Sequence, residues 1–285
     1  MTSNTRWAAA FAVVAGMAFA TTANATWTFQ QAAGAANGGA AASTVGADAT
    51  ASNVSILSVA GYATGTTASG SSWASNALNL WSGSGLSMSS DGSAAPNHAI
   101  DGTGKTEAVL LNFSSSVVLS NISLGYSTND AGTTTNLPVD VSLFRYTGTI
   151  APPAMGSVGS MAGWELVGNY GDLTNGGTNA VNVSGTGTTT NTTGGSGGKG
   201  SSWWLISAYN SNFGAGSQTR GALDNGNDYF KILAVTGTKC TSTAVGVCGG
   251  GGSVTSVPEP ASLALASVSL MGLFGIRRRN GKKQA

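Results

Sequence analysis

His98 is the only histidine in the 285-residue chain, and Asp101 follows it three positions later. An imidazole beside a carboxylate is the base-and-orienter half of a Ser/His/Asp site, and serine is abundant throughout. No Gly-x-Ser-x-Gly elbow stands between a strand and a helix, so the nucleophile has no place in the pattern. His98 therefore reads as a loop or strand-edge residue. Glycoside hydrolysis would instead need two carboxylates at a defined separation. Glu107, Glu165 and Asp224 supply acids, but nothing in their spacing selects a pair. No catalytic residue and no enzyme activity are expected.

Two polar clusters remain. Pro96-Asn97-His98-Ala99-Ile100-Asp101-Gly102 precedes one apolar run, and Asp224-Asn225-Gly226-Asn227-Asp228 precedes another. Asp and Asn side chains hydrogen-bond the nearby backbone and Gly takes positive φ, so both clusters form turns by composition. Asn97, His98, Asp101, Asp224, Asn227 and Asp228 could alternatively bind a sugar, or Ca²⁺ through oxygen ligands. The second cluster lacks the twelve-residue loop and terminal Glu of an EF-hand. The turn reading is preferred, and no cofactor or metal centre is expected. Cys240 and Cys248 bracket seven residues. Two thiols and one distant histidine are too few ligands for zinc. In an oxidising compartment the pair is expected to form a disulfide.

The elements that carry these residues read as strands. Trp27–Gln30, Val54–Tyr62, Ala108–Phe113, Val117–Tyr126, Val139–Tyr146, Trp164–Tyr170, Trp203–Tyr209 and Tyr229–Val235 are short apolar or alternating runs. Ser114-Ser115-Ser116 links the third and fourth as a hairpin would. Val118, Ile122, Leu124 and Tyr126 fall on one face of the fourth, and Val139, Val141 and Leu143 oppose Asp140 and Ser142 in the fifth. Gln31–Thr50 and Gly185–Gly200 read as flexible loops. No repeat of solenoid or propeller period is visible. Many short strands between turns predict an all-β domain, a single β-sandwich or jelly roll with Gly/Ser/Thr-rich loops.

Both ends carry targeting patterns. Arg6, the apolar stretch Trp7–Ala20 and Ala23-Asn24-Ala25 form the three parts of a secretory signal peptide, with cleavage by signal peptidase expected after Ala25. The opposite end holds Val257-Pro258-Glu259-Pro260, an uncharged run from Ala261 to Ile276, and Arg277-Arg278-Arg279 with Lys282 and Lys283. As a helix, that run reaches roughly 24 Å at about 1.5 Å per residue, somewhat short of a bilayer's hydrocarbon core, so its flanks must help it span. The arginines act as a cytoplasmic stop and leave Pro258 outside. Pro258 and Pro260 prevent the helix from continuing backwards.

Proline motif, apolar segment and basic tail together resemble the C-terminal sorting signal of PEP-CTERM proteins. The resemblance implies processing by an exosortase in a Gram-negative bacterium that makes extracellular polysaccharide. Asn97–Asp101, Val109–Phe113, Ser123–Tyr126, Ser202–Leu205 and Asn227–Leu233 are similar to segments of a family of exosortase-dependent surface proteins, which brings no catalytic residue with it. Ala99–Gly102 is similar to a turn of discoidin-like sugar-binding jelly rolls.

The organisation expected is a signal peptide at 1–25, an extracellular domain at 26–248, a Gly/Ser linker at 249–256 and the sorting signal at 257–285. Residues 26–257 retain six bases against ten acids, a net charge of about −4. With no basic patch, phosphate neutralisation has no platform, and nucleic-acid binding is excluded. The function expected is that of an exported, non-enzymatic surface or extracellular-matrix protein, carried by the Sec machinery, held at the inner membrane by its C-terminal helix and then processed by an exosortase. The alternative is a polysaccharide-binding module with exopolysaccharide as partner. Trp73, Trp81, Trp203 and Trp204 would then be its stacking faces, if exposed.

Overall fold

Alternating and continuous apolar runs form strands of one large, mostly antiparallel sheet. A computed structural model describes residues 24–29, 39–40, 46–48, 54–90, 96–129, 136–176, 179–181, 198–215, 218–220, 222–224, 228–240 and 247–249. The first strands are β1 (Ala25–Thr28), β2 (Gly39–Ala40), β3 (Gly46–Asp48), β4 (Ile56–Thr64) and β5 (Trp73–Asn76). They are followed by β6 (Leu78–Trp81), β7 (Gly85–Met88), β8 (Ile100–Asp101), β9 (Glu107–Thr128) and β10 (Val139–Tyr146). The last are β11 (Trp164–Leu173), β12 (Gly200–Ala208), β13 (Gln218–Arg220), β14 (Tyr229–Lys239) and β15 (Cys248–Gly249), with a 3₁₀ turn at Ser211–Phe213.

The organising strand is β9. Residues 107–113 pair with β4 on one side, and residues 108–117 pair with β12 on the other. Residues 117–128 pair with β14. The strand thus passes from the β11–β10–β12 half of the sheet into the β14–β7–β6 half. Val109, Leu111 and Phe113 from its first part join Leu119, Ile122 and Leu124 from its second in one core. Val141, Leu143, Trp204 and Ile206 supply that core from one half, and Leu86, Met88, Phe230 and Ile232 from the other. Fully burying each such side chain contributes about 1.5–3 kcal/mol. The all-β class expected from the sequence is the class observed, built as one large sheet.

A second, smaller core of Trp73, Ala108, Leu110, Phe144, Met155 and Leu205 covers the opposite face of the first half. All eight residues of β10 are consequently buried. Val139, Val141 and Leu143 face the main core as their alternation predicts. Asp140 and Ser142 are buried as well.

Three local expectations are corrected. Ser114–Ser116 is no hairpin; it continues one 22-residue strand. None of the three is Gly, Asn or Pro, so nothing supplies the backbone of a tight turn. Its backbone is used across neighbours instead: the Ser114 N–H donates to the Ser55 carbonyl and the Cys240 N–H to that of Ser116. Val118 does not share a face with Ile122, because the register shifts opposite Thr236/Gly237 and places Val117 and Leu119 inside. Within Gln31–Thr50, β2 pairs with β6 and β3 pairs with β1. Gly85 lets β7 approach β14: at φ +90°, a Cβ there would stand 2.0 Å from the Ile232 carbonyl oxygen.

Candidate functional site

The segments feeding β10 and β14 meet through their carboxylates. Asp140 is the second residue of β10, and Asp228 immediately precedes β14. Asp228 Oδ1 accepts the Asp140 N–H at 2.6 Å. Asp140 Oδ2 accepts the Asp224 N–H at 2.6 Å, and its Oδ1 the Asp172 N–H at 3.2 Å. Asp172 holds φ at +59°, a conformation Asp tolerates better than most residues. The Asp140 carbonyl in turn accepts the Tyr209 N–H at 3.1 Å. Three segments, the lead into β14, the end of β11 and the residue after β12, are thereby locked around one aspartate.

Asp140, Asp224 and Asp228 each bring a carboxylate oxygen within 4.8 Å of the other two. Asp140 and Asp228 are buried, whereas Asp224 is exposed and opens the cluster to solvent. Burial pushes the Asp140 carboxyl up to about 6, although the N–H groups of Asp224 and Asp172 favour its ionised form. Burial, reinforced by the Asp140 charge, pushes Asp228 up to about 8. Burial and the same two carboxylates raise the Tyr209 phenol. Oxygen donors of this kind could hold a hard cation.

The other residues singled out in the sequence are elsewhere. Asp101 Oδ1 accepts the Thr103 N–H at 2.8 Å, the local turn its composition implies. Glu107 is buried and accepts the N–H groups of Ser90 and Asp101 at 3.1 and 3.2 Å. Glu165 is committed to ion pairs with Arg145 and Lys199. His98 lies edge-on to Trp81 and Tyr126, at centroid distances of 4.6 and 6.2 Å, with Nδ1 3.4 Å from the Pro96 carbonyl. Burial and the Lys231 charge lower its pKa. Asn97 occupies the same turn, and Asn227 lies outside the described residues. Cys240 and Cys248 are joined in a disulfide with a Cα–Cα distance of 5.8 Å.

The four tryptophans offer no flat exposed platform. Trp73 and Trp204 are buried, and Trp81 and Trp203 are half-buried. Trp204 Nε1 donates to the carbonyls of Val117 and Ser201 at 3.1 and 2.9 Å. A polar cleft of about 240 Å³ lies beside Tyr209, lined also by Thr67, Thr103, Asn210 and Asn212.

Residues 256–279 match the family model of the PEP-CTERM protein-sorting motif. The chain carries a PEP-CTERM sorting signal. That signal implies export, a membrane-associated intermediate and exosortase processing. Val257, Pro258, Glu259, Pro260 and Arg277–Arg279 all fall within the matched span, outside the described residues. Neither a curated protein nor a solved structure matches the chain significantly. Among the described residues, no helix is long and apolar enough to cross a membrane. Ala23 of the expected signal-peptidase site lies outside the described residues. Ala25 begins β1, buried and opposite Gly237. Cleavage after it would remove one pair from the strand's end and leave Thr26, Trp27 and Thr28 registered on β14.

Asp140 is the site residue that sequence reasoning missed. Its alternation with Val139 and Val141 assigns it to the second face of the strand and says nothing of what covers that face. A lone carboxylate on a strand whose other neighbours are Ser142 and Phe144 was the available signal.

Proposed function

We propose that this is a non-enzymatic surface or extracellular-matrix protein, delivered by its PEP-CTERM signal into the polysaccharide-rich envelope of its host. The observation that carries the reading is the sorting motif at 256–279. The route begins with Sec export and signal-peptide removal, passes through an inner-membrane intermediate anchored by residues 261–276, and ends with exosortase processing. A structural role is supported by how the reactive groups are used. The single imidazole packs among aromatic rings, Glu107 and Glu165 hold backbone and cations, and Trp27, Trp73 and Trp204 fill cores. Expression of the full chain in paired hosts with and without an exosortase tests the assignment. A shortened product at the cell surface is expected only where the exosortase is present; identical products in both hosts would contradict it.

The polar cleft beside Tyr209 favours a second reading, binding of exopolysaccharide. Its hydroxyl and amide lining suits sugar hydroxyls, with Tyr209 as its aromatic member. Retention of the exported protein on the host's own polysaccharide, lost in Asn210→Ala, would favour it. Asn210 also bonds Thr106 and Thr67, so the variant's melting temperature must accompany the assay.

A further inference from the structure

We propose that Asp140, Asp224 and Asp228 form a Ca²⁺ site that ties the start of β10 to the start of β14. Two oxygens on one Ca²⁺ at about 2.4 Å can stand at most about 4.8 Å apart, and the three carboxylates meet that limit mutually. A cluster of acids alone would not make a site. The independent observation is Asp228 Oδ2, an oxygen of a side chain only 1% exposed, which has no hydrogen-bond partner. Its sister Oδ1 is held by the Asp140 N–H, so the carboxylate is fixed in the cluster with one oxygen left over. An orphaned buried acceptor is destabilising, more so when charged, and a cation among the carboxylates would satisfy it.

The surroundings select the ion. Arg145 and Lys199 pair with Glu165, and no ion pair among the described residues reaches Asp140, Asp224 or Asp228. No thiol or imidazole reaches it: both cysteines are in the disulfide, and His98 packs on Trp81. Donors that are all oxygen favour Ca²⁺, Mg²⁺ or Mn²⁺ over zinc or copper. Asp140 is oriented by two backbone N–H donors rather than by a compact octahedron, and exposed Asp224 leaves one side for water. An irregular, partly hydrated shell suits Ca²⁺ better than Mg²⁺, which demands short octahedral geometry. The ion would clamp three chain segments: those starting β10 and β14 directly, and the end of β11 through the Asp172 N–H.

The full chain, stripped with EDTA in detergent, should bind added CaCl₂ saturably, with a Kd of about 0.1–1 mM as in extracellular modules. Its melting temperature should rise by roughly 3–5 °C at a tenfold excess over Kd. Asp228→Asn keeps the Oδ1 acceptor but removes the charge, so it should fold without Ca²⁺ and lose the response. Asp224→Asn changes an exposed side chain and decides the question if the buried variant fails to fold; binding should weaken at least tenfold. An absent Ca²⁺ response in the parent, an undiminished response in Asp224→Asn, or an equal rise with MgCl₂ would overturn the proposal.

Discussion

Lys231 shows how a single residue reports the second buried face of this sheet. It lies in β14 between the core residues Phe230 and Ile232, and it is itself buried. Its ammonium stands 4.0 Å from the centroid of the Trp81 ring and 5.0 Å from that of Tyr126. Burial pushes its pKa down to about 8, while the ring faces oppose this by favouring the cation. Between pH 8 and about 10.5 the unfolded lysine holds a proton that the folded one has released, so stability contributed by this group rises with pH across that window. Below pH 8 the buried charge is a net cost. Lys231→Met should therefore stabilise the protein at pH 7 by about 1–2 kcal/mol, the linkage cost less the lost ring contact. That advantage should shrink as pH rises from 8 to 10. Denaturant melts at both pH values measure it, and a constant difference would mean that the ammonium is solvated. Lys231 and Asp140 were hard to read for one reason: alternation separates the two faces of a strand but says nothing of what covers the polar one.

At the scale of elements, the strands were legible where their apolar periods were long, and the connections between them were not. Val139–Tyr146 was found with its bounds, because Val139, Val141 and Leu143 alternate cleanly. β5, β6 and β7 were missed, since four-residue strands such as Trp73–Asn76 carry too few periods to stand above their Ser- and Gly-rich flanks. β9 was split in two because a serine triplet looks like a break, although it remains extended under cross-strand hydrogen bonds. The Cys240–Cys248 bond was readable from spacing and compartment, but what it fastens was not. Cys240 follows β14, while Cys248 opens β15, which pairs in parallel with Gly200 and Ser201 of β12. The bond therefore tethers the end of β14 to the start of β12, beside Ser116 of β9. Gly200 is required there, as a Cβ would stand 2.6 Å from that of Cys240. The buried Arg145 reinforces the corner through Nη1, which donates to the carbonyls of Gly200 and Val247 at 3.0 and 2.9 Å. Loop-closure entropy for so short a loop amounts to about 2–3 kcal/mol. Cys240→Ala with Cys248→Ala should lower unfolding free energy by that amount in urea. An unchanged midpoint would show that the β12–β15 pairing and Arg145 hold the corner without it.

For the whole molecule, sorting and folding are written in different kinds of sequence. The domain needs contacts between residues far apart, as with Asp140 and Asp228, 88 positions distant. The sorting signal is local: Pro258-Glu259-Pro260, an uncharged run and Arg277–Arg279 are consecutive, which is why it could be read directly and the carboxylate cluster could not. The separation makes a prediction. Replacing Pro258-Glu259-Pro260 with three alanines leaves the apolar run and the positive stop intact, so export and membrane retention should continue. The two prolines would no longer break the helix, and the residues preceding the apolar run could join it, removing the restricted peptide that an exosortase meets. Cells with an exosortase should then accumulate the uncleaved, membrane-held chain. The folded domain should be unaffected, with the Cys240–Cys248 bond formed and no free thiol on alkylation. Neutralising Arg277, Arg278 and Arg279 attacks the other part of the signal and should weaken retention and orientation before any processing occurs. Fractionation and mass measurement of the two variants separate the steps. A product of mature size from the alanine variant in an exosortase-positive host would show that Pro258-Glu259-Pro260 is not what the protease recognises.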